Sequence, residues 1–238
     1  MKHSDLVLMW TILFFLLIML VIVCANSWQK LAIWRWRKTF AIDTVEPVFE
    51  KLYGDINGFA LSREARQEHD AIDYIYGEIV FGPFIALLSL AKPNQNTVFY
   101  DLGSGTGKAV LASAMVFNME KCVGIELFQS LHNAARQQCL ALHALDDFLP
   151  ATGNIRFIHD NFLSCKLEDA TLVYINATGF IGETWTLVSH RIEETATCLT
   201  VISTSKPLRT KAFIVTKVTS VQMSWGVVRA YIHQRVKG

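Results

Sequence analysis

The sequence predicts an α/β protein, a seven-stranded sheet with helices on both faces, preceded by one transmembrane helix. Three stretches carry that expectation. Val98-Phe99-Tyr100-Asp101-Leu102 is a short apolar run of β-formers, and it breaks into Gly103-Ser104-Gly105-Thr106-Gly107, with glycine at every second position. Residues 108–118 follow, mostly Ala, Val, Leu and Met without a breaker, as a helix would, and 121–126 then repeats the strand pattern and ends on Glu126. Residues 6–25 are apolar except for Thr11 and carry no charge. That matches the ~20 residues a helix needs to cross a ~30 Å hydrocarbon core.

In chain order, the apolar stretch reads as an uncleaved anchor over 1–26, because a signal-peptide core is typically only about 7–15 residues long. Residues 27–38 form a basic and aromatic juxtamembrane segment: Trp28, Lys30, Trp34, Arg35, Trp36, Arg37 and Lys38 occur with no acid among them. Basic residues beside a span favour the cytoplasmic side and tryptophans the interface, so the expected arrangement is a single-pass membrane protein with its catalytic domain in the cytoplasm. Residues 39–90 read as a mostly helical lid region with breaks at Pro47, Gly54, Gly58 and Gly82-Pro83. Within it, 62–68 is a charged, solvated helix face, and the run from Tyr74 through Tyr76-Gly77-Glu78 is a turn placed to cover the coming sheet. Residues 91–238 are the core. Further strands are expected at 154–159, 172–175 and 198–203, with helices at 127–145 and 183–194. An antiparallel pair, 213–220 and 225–235, closes the sheet. A formal net charge of +1 gives no case for a nucleic-acid partner. Five cysteines without any C-x-x-C spacing suggest neither a metal site nor a disulfide framework.

Strand, glycine loop and helix together form a nucleotide-binding opening, since glycines admit close backbone approach and a helix N-terminus offers unpaired N–H groups. The dinucleotide fingerprint fails here, because Lys108 stands where its third glycine belongs. The acids point elsewhere. Glu126 at its strand end suits a ribose diol, and Asp101 lies where a carboxylate meets an ammonium. Asp160-Asn161-Phe162 after the third strand suits an adenine amino group and ring face. Asn176, at the tip of the fourth strand, faces the place where ligands gather in open α/β sheets. The set resembles the cofactor site of class I, Rossmann-like methyltransferases that use S-adenosylmethionine.

A narrower resemblance rests on ordered motifs: Tyr76-Gly77-Glu78, Asp101-Leu102-Gly103-Ser104-Gly105, Gly124-Ile125-Glu126, Phe162-Leu163-Ser164, Ile175-Asn176, Ser205-Lys206-Pro207, and Ser224-Trp225 with Tyr231 and His233. Together they resemble the catalytic domain of the disruptor-of-telomeric-silencing family, the histone lysine methyltransferases without a SET domain, over residues 74–235. The resemblance implies that Tyr76 and Glu78 close over the cofactor. It also implies that Asp101, Gly103, Ser104, Gly105, Gly107, Glu126, Phe162 and one of Asp160 and Asn161 hold S-adenosylmethionine. Asn176 would sit beside the transferring methyl, with Trp225 and Tyr231 lining a channel for the acceptor lysine. The paired asparagines of the family are Asn176-Ala177 here. The expected partner is a membrane-associated protein bearing the lysine, with the bilayer contacted through 6–25. A small-molecule or lipid methyltransferase, and a cofactor-binding assembly factor without turnover, remain the alternatives.

Overall fold

The computed structural model describes residues 3–67 and 75–236. Glu68 and Tyr74, which entered the readings of the charged helix face and the lid turn, lie outside them. The chain divides into two compact units, Met1–Thr44 and Val45–Gly238.

In the first unit, α1 (His3–Thr39) is one continuous helix of 37 residues, about 55 Å long at 1.5 Å per residue. The expected anchor and juxtamembrane segments thus form one continuous helix, with no break near residue 26. The stretch Ile12–Thr39 has a mean hydropathy of 2.2 in its most apolar window, and Leu13, Phe15, Leu17 and Leu20 are all exposed.

Helix α2 (Ile42–Tyr53) contains Pro47 rather than ending at it. Val45, Phe49 and Tyr53, spaced four apart, are all buried, and this apolar stripe compensates for the hydrogen bond that proline forfeits. Helix α3 (Gly58–Ala65) is capped by Asn57, whose side chain accepts from the Ala60 N–H. Helix α4 (Phe81–Ser89) likewise absorbs Gly82-Pro83 into its first turn. Backbone donors have no intrahelical partner there, so proline costs nothing.

Then follow β1 (Val98–Leu102), α5 (Lys108–Val116), β2 (Lys121–Glu126), α6 (Gln129–His143), the short turn α7 (Leu149–Thr152), β3 (Ile155–His159), β4 (Leu172–Asn176), α8 (Gly182–Glu194), β5 (Thr200–Thr204), β6 (Phe213–Met223) and β7 (Gly226–Arg235). The sheet order is β3-β2-β1-β4-β5-β7-β6. The pairings from β3 to β5 are parallel, while β7 runs antiparallel to both β5 and β6. Expected strands and observed strands agree within two or three residues. One shift matters: Trp225 falls in the turn between β6 and β7 and not in a strand.

Both sheet faces are covered, as strand alternation requires for runs as apolar as β1 and β4. Val98, Tyr100, Leu102, Val173 and Ile175 share one core with Trp185, Val188 and Ile192 of α8. On the other face Phe84 of α4 meets the Tyr174 ring edge-on, with centroids 5.1 Å apart. Strand order reverses between β1 and β4, and this switch point opens the crevice where ligands of such sheets bind.

Arg235 ties the closing strand to α8. Its guanidinium donates to the carbonyls of Cys198 (2.6 Å), Thr195 (2.8 Å) and Glu193 (3.0 Å) and stacks 4.5 Å over the Phe213 ring. These carbonyls include orphans of the helix end, so one side chain caps α8 and anchors β7. Arg235→Ala is expected to cost about 2–4 kcal/mol of stability in denaturant titration. Lysine, a point donor, should recover less than half of that.

Candidate active site

A cavity of about 210 Å³ lies at the carboxyl ends of the central strands. The glycine loop forms its floor. Gly103, Gly105 and Gly107 have φ of 80°, 55° and 83°, a left-handed conformation that other residues resist. At Gly105 a side chain would also strike the Tyr76 ring, 2.8 Å from the position of its first carbon.

Asp101 and Glu126 both line this cavity. Glu126 is buried, with Oε2 accepting from the Gly105 N–H at 2.7 Å and Oε1 from the Phe128 N–H at 2.9 Å. Burial raises its pKa while those N–H groups oppose the rise. The carboxyl of Asp101 is pushed up to about 8, first by burial and then by the negative charge of Glu126. A cation beside such a pair would favour the charged form of both carboxyls.

A lid over the glycine loop is tied down on two sides. Lys108, the first residue of α5, reaches Glu78 Oε2 at 2.6 Å, and Tyr76 Oη donates to Glu78 Oε1 at 2.8 Å and meets Thr106 Oγ1 at 3.3 Å. From the β6–β7 turn, the Ser224 N–H donates to the Glu78 carbonyl at 3.0 Å and the Glu78 N–H to Ser224 Oγ at 3.1 Å. Trp225 lies against Gly77, where an added Cβ would fall 2.1 Å from its ring. The Lys108–Glu78 pair is largely covered, so breaking it strands a buried charge. Lys108→Met is expected to speed amide hydrogen exchange in 75–79 at least about tenfold. Adding Glu78→Gln should restore most of the protection.

At the tip of β4, Asn176 Oδ1 accepts from Thr178 Oγ1 at 2.9 Å and Thr204 Oγ1 at 2.8 Å, and Thr178 Oγ1 also meets Ser205 Oγ at 2.8 Å. The hydroxyls hold the amide in place. Phe162 and Phe180, in edge contact at 5.7 Å, form an apolar part of the same cavity wall.

The structure therefore gathers Tyr76, Glu78, Asp101, Gly103, Ser104, Gly105, Glu126, Asn161, Phe162 and Asn176 around one cavity. Four expected residues are placed elsewhere. Gly107 packs on Phe157 and Ala135 and starts α5. Asp160 stays outside the cavity walls and accepts from the Asn161 N–H at 2.7 Å, so Asn161 is the one that lines the site. Trp225 clamps the lid. Tyr231 pairs with Ser203, one place along from the row that joins Asn176, Thr204 and Ala230, so alternation turns it to the opposite sheet face from Asn176. Lys108, Thr106, Tyr174, Phe180 and Met223 are wall residues that sequence reasoning missed. For Tyr174 a signal existed: it stands two places before Asn176 on the same strand and so on the same face.

The chemistry of the walls fits S-adenosylmethionine. Glu126 keeps acceptor capacity for a ribose diol beyond its two backbone N–H partners. Asp101 is a buried acceptor suited to the ammonium, and Phe162 offers a ring face for adenine.

The family described as "Histone methylation protein DOT1" matches residues 62–230. A protein-lysine N-methyltransferase of Saccharolobus islandicus is 30% identical over 87 residues, 37% of this chain and 50% of that protein. A histone-lysine N-methyltransferase of Caenorhabditis elegans, H3 lysine-79 specific, is 32% identical over 111 residues, 44% of this chain and 12% of that protein. The chain thus spans half or less of the length of these relatives. Among solved structures, an RNA methyltransferase from Salinibacter ruber in complex with S-adenosyl-L-homocysteine superposes with a TM-score of 0.52 at 18% identity, covering 65% of this chain and 91% of that one. The magnesium protoporphyrin IX methyltransferase of Synechocystis with bound S-adenosylmethionine gives 0.51 at 13% identity, covering 81% and 92%. These two likenesses establish the fold.

Proposed function

The chain belongs to the family of the histone methylation protein DOT1, and on that premise we propose an S-adenosylmethionine-dependent protein lysine N-methyltransferase, held at a membrane by α1 with its catalytic unit on the cytoplasmic side. One observation carries the reading: Asp101, Glu126 and Asn176 meet at one cavity inside the matched segment.

When bound, S-adenosylmethionine supplies a methyl group activated by its sulfonium. The rest falls to the protein. Asp101 would take the ammonium, Glu126 the ribose diol, and Asn161 with Phe162 the adenine. Catalysis of an in-line displacement is then mainly positioning. The acceptor lysine must arrive uncharged, at a cost of about 4 kcal/mol at pH 7.4 from an ordinary pKa of about 10.4. Phe180, on the cavity wall just after β4, reduces that cost by desolvating the ammonium form. The lid Tyr76-Gly77-Glu78 keeps water from the reacting centre.

Support for the membrane placement comes from α1. Its apolar length, with Trp28 and Trp34 exposed and Arg35, Arg37 and Lys38 following, suits a span anchored on its basic side. Placed there, the enzyme reaches lysines on membrane or membrane-near proteins. The test is to add the full chain and radiolabelled cofactor to membranes from cells that lack it. Label recovered as methyl-lysine after protein hydrolysis is the expected result. Label confined to the lipid extract overturns the lysine assignment.

A further inference from the structure

Tyr174 is the one aromatic hydroxyl on the cavity wall, among the described residues, that its surroundings leave without use. The residue is 2% exposed, lines the cavity, and its Oη has no hydrogen-bond partner among the described residues. Tyr76, by contrast, is bonded to Glu78 and Thr106. A phenylalanine would pack on Phe84 equally well without desolvating a hydroxyl. Buried polar groups left unpaired are rare in folded proteins, and this one belongs to a residue of the cavity wall.

We propose that the Tyr174 hydroxyl is a cofactor contact, which together with Asp101 grips the amino-acid end of S-adenosylmethionine. The proposal rests on the cofactor reading above and adds to it a residue and the group it recognises. Asp101 and Tyr174 are register partners in adjacent parallel strands, so their side chains leave the same face of the sheet side by side. Neither is bonded to the other. An α-amino acid carries its ammonium and its carboxylate on one carbon and therefore needs an acceptor and a donor next to each other. Asp101 is the acceptor. The Tyr174 phenol, held protonated by burial and by the charge of Asp101, is the donor.

Given those roles, the strand order assigns Tyr174 to the amino-acid end rather than to the ribose or adenine. Glu126 on β2 would take the ribose, and Asn161 and Phe162 follow β3, so in the order β3-β2-β1-β4 the wall residues left for the remaining end are on β1 and β4. Asp101 and Tyr174 stand there and would hold the cofactor's amino-acid end. Asn176, two residues beyond Tyr174, is left at the outer tip for the acceptor.

Tyr174→Phe in the full chain, held in detergent, separates the possibilities by calorimetry with two ligands. S-adenosylhomocysteine has the amino-acid end; 5′-methylthioadenosine keeps the adenine, ribose and thioether and lacks it. The expected result is about a tenfold loss of affinity for the first and no more than a twofold change for the second. The unliganded variant should melt at or above the wild-type temperature, because the hydroxyl it loses has no partner in the protein. Equal weakening of both ligands, no weakening of either, or a lower melting temperature overturns the proposal. Wild-type protein that takes up neither ligand overturns the cofactor reading itself, and this proposal with it.

Discussion

Replacing Asp101 with asparagine is expected to make the ligand-free protein more stable and nearly unable to bind S-adenosylhomocysteine. The carboxyl is buried beside Glu126 and is pushed up to about 8. In the unfolded chain an aspartate titrates near 3.9. Between about pH 4 and pH 8 the folded protein therefore holds a proton that the unfolded chain has released. Stability from this group is fully present below pH 4 and declines as pH rises toward 8. Asparagine has the same shape and no proton to hold. Asp101→Asn should add about 1–3 kcal/mol at pH 7.5 and flatten the fall in stability between pH 5 and pH 8, read from thermal melts across that range. Affinity should drop about a hundredfold, because a buried acceptor of the cofactor ammonium is lost. An accompanying sign is proton traffic. Binding to wild type drives Asp101 to its charged form and releases a proton near neutral pH, so the apparent binding enthalpy should depend on the ionisation enthalpy of the buffer. The variant should lose that dependence.

Asn176→Ala should leave cofactor affinity within about threefold of wild type and lower kcat by about 10²–10³. Losses of that size follow removal of a positioned polar group at a reacting centre. The side chain stands at the end of β4, fixed by the Thr178 and Thr204 hydroxyls, and makes no hydrogen bond to either acid among those the structure shows. Asn176→Asp separates shape from charge. A carboxylate there favours the ammonium form of the incoming lysine, so the pH–rate profile should move to higher pH even though the shape is kept. A variant with unchanged kcat would place the acceptor elsewhere on the cavity rim.

The two expectations divide the site along the sheet. Burial of Asp101 costs stability that ligand binding returns, as functional sites often do, whereas Asn176 is held by neutral hydroxyls and carries no such penalty.

Much of the scaffold was legible because it is written locally. The β-forming run at 98–102, the alternate glycines at 103–107 and the acid closing 121–126 each specify their own backbone, and parallel strands place the ends of neighbours together. Asp101 and Glu126 thus converge wherever that pattern folds. Asn176 followed for the same reason, as the last residue of a buried strand. Pro47 misled as a helix break, because the burial of Val45, Phe49 and Tyr53 outweighs local propensity, whereas Gly82-Pro83 marked a helix start within two residues.

What the amino-acid order determined alone is therefore the sheet, the glycine turn and the acids at the strand tips, all of them products of periodicity over five or six residues. Tertiary structure decided the rest. The Lys108–Glu78 pair joins residues 30 apart in sequence, and the Glu78 N–H meets Ser224 across 146. The face on which Tyr231 lies depends on the register of β5 with β7, and the pairing of Tyr174 with Asp101 depends on β1 lying beside β4. Register and strand order are set by the packing of the whole core, and a shift of one residue turns every side chain of a strand to the other side. No local pattern contains that information.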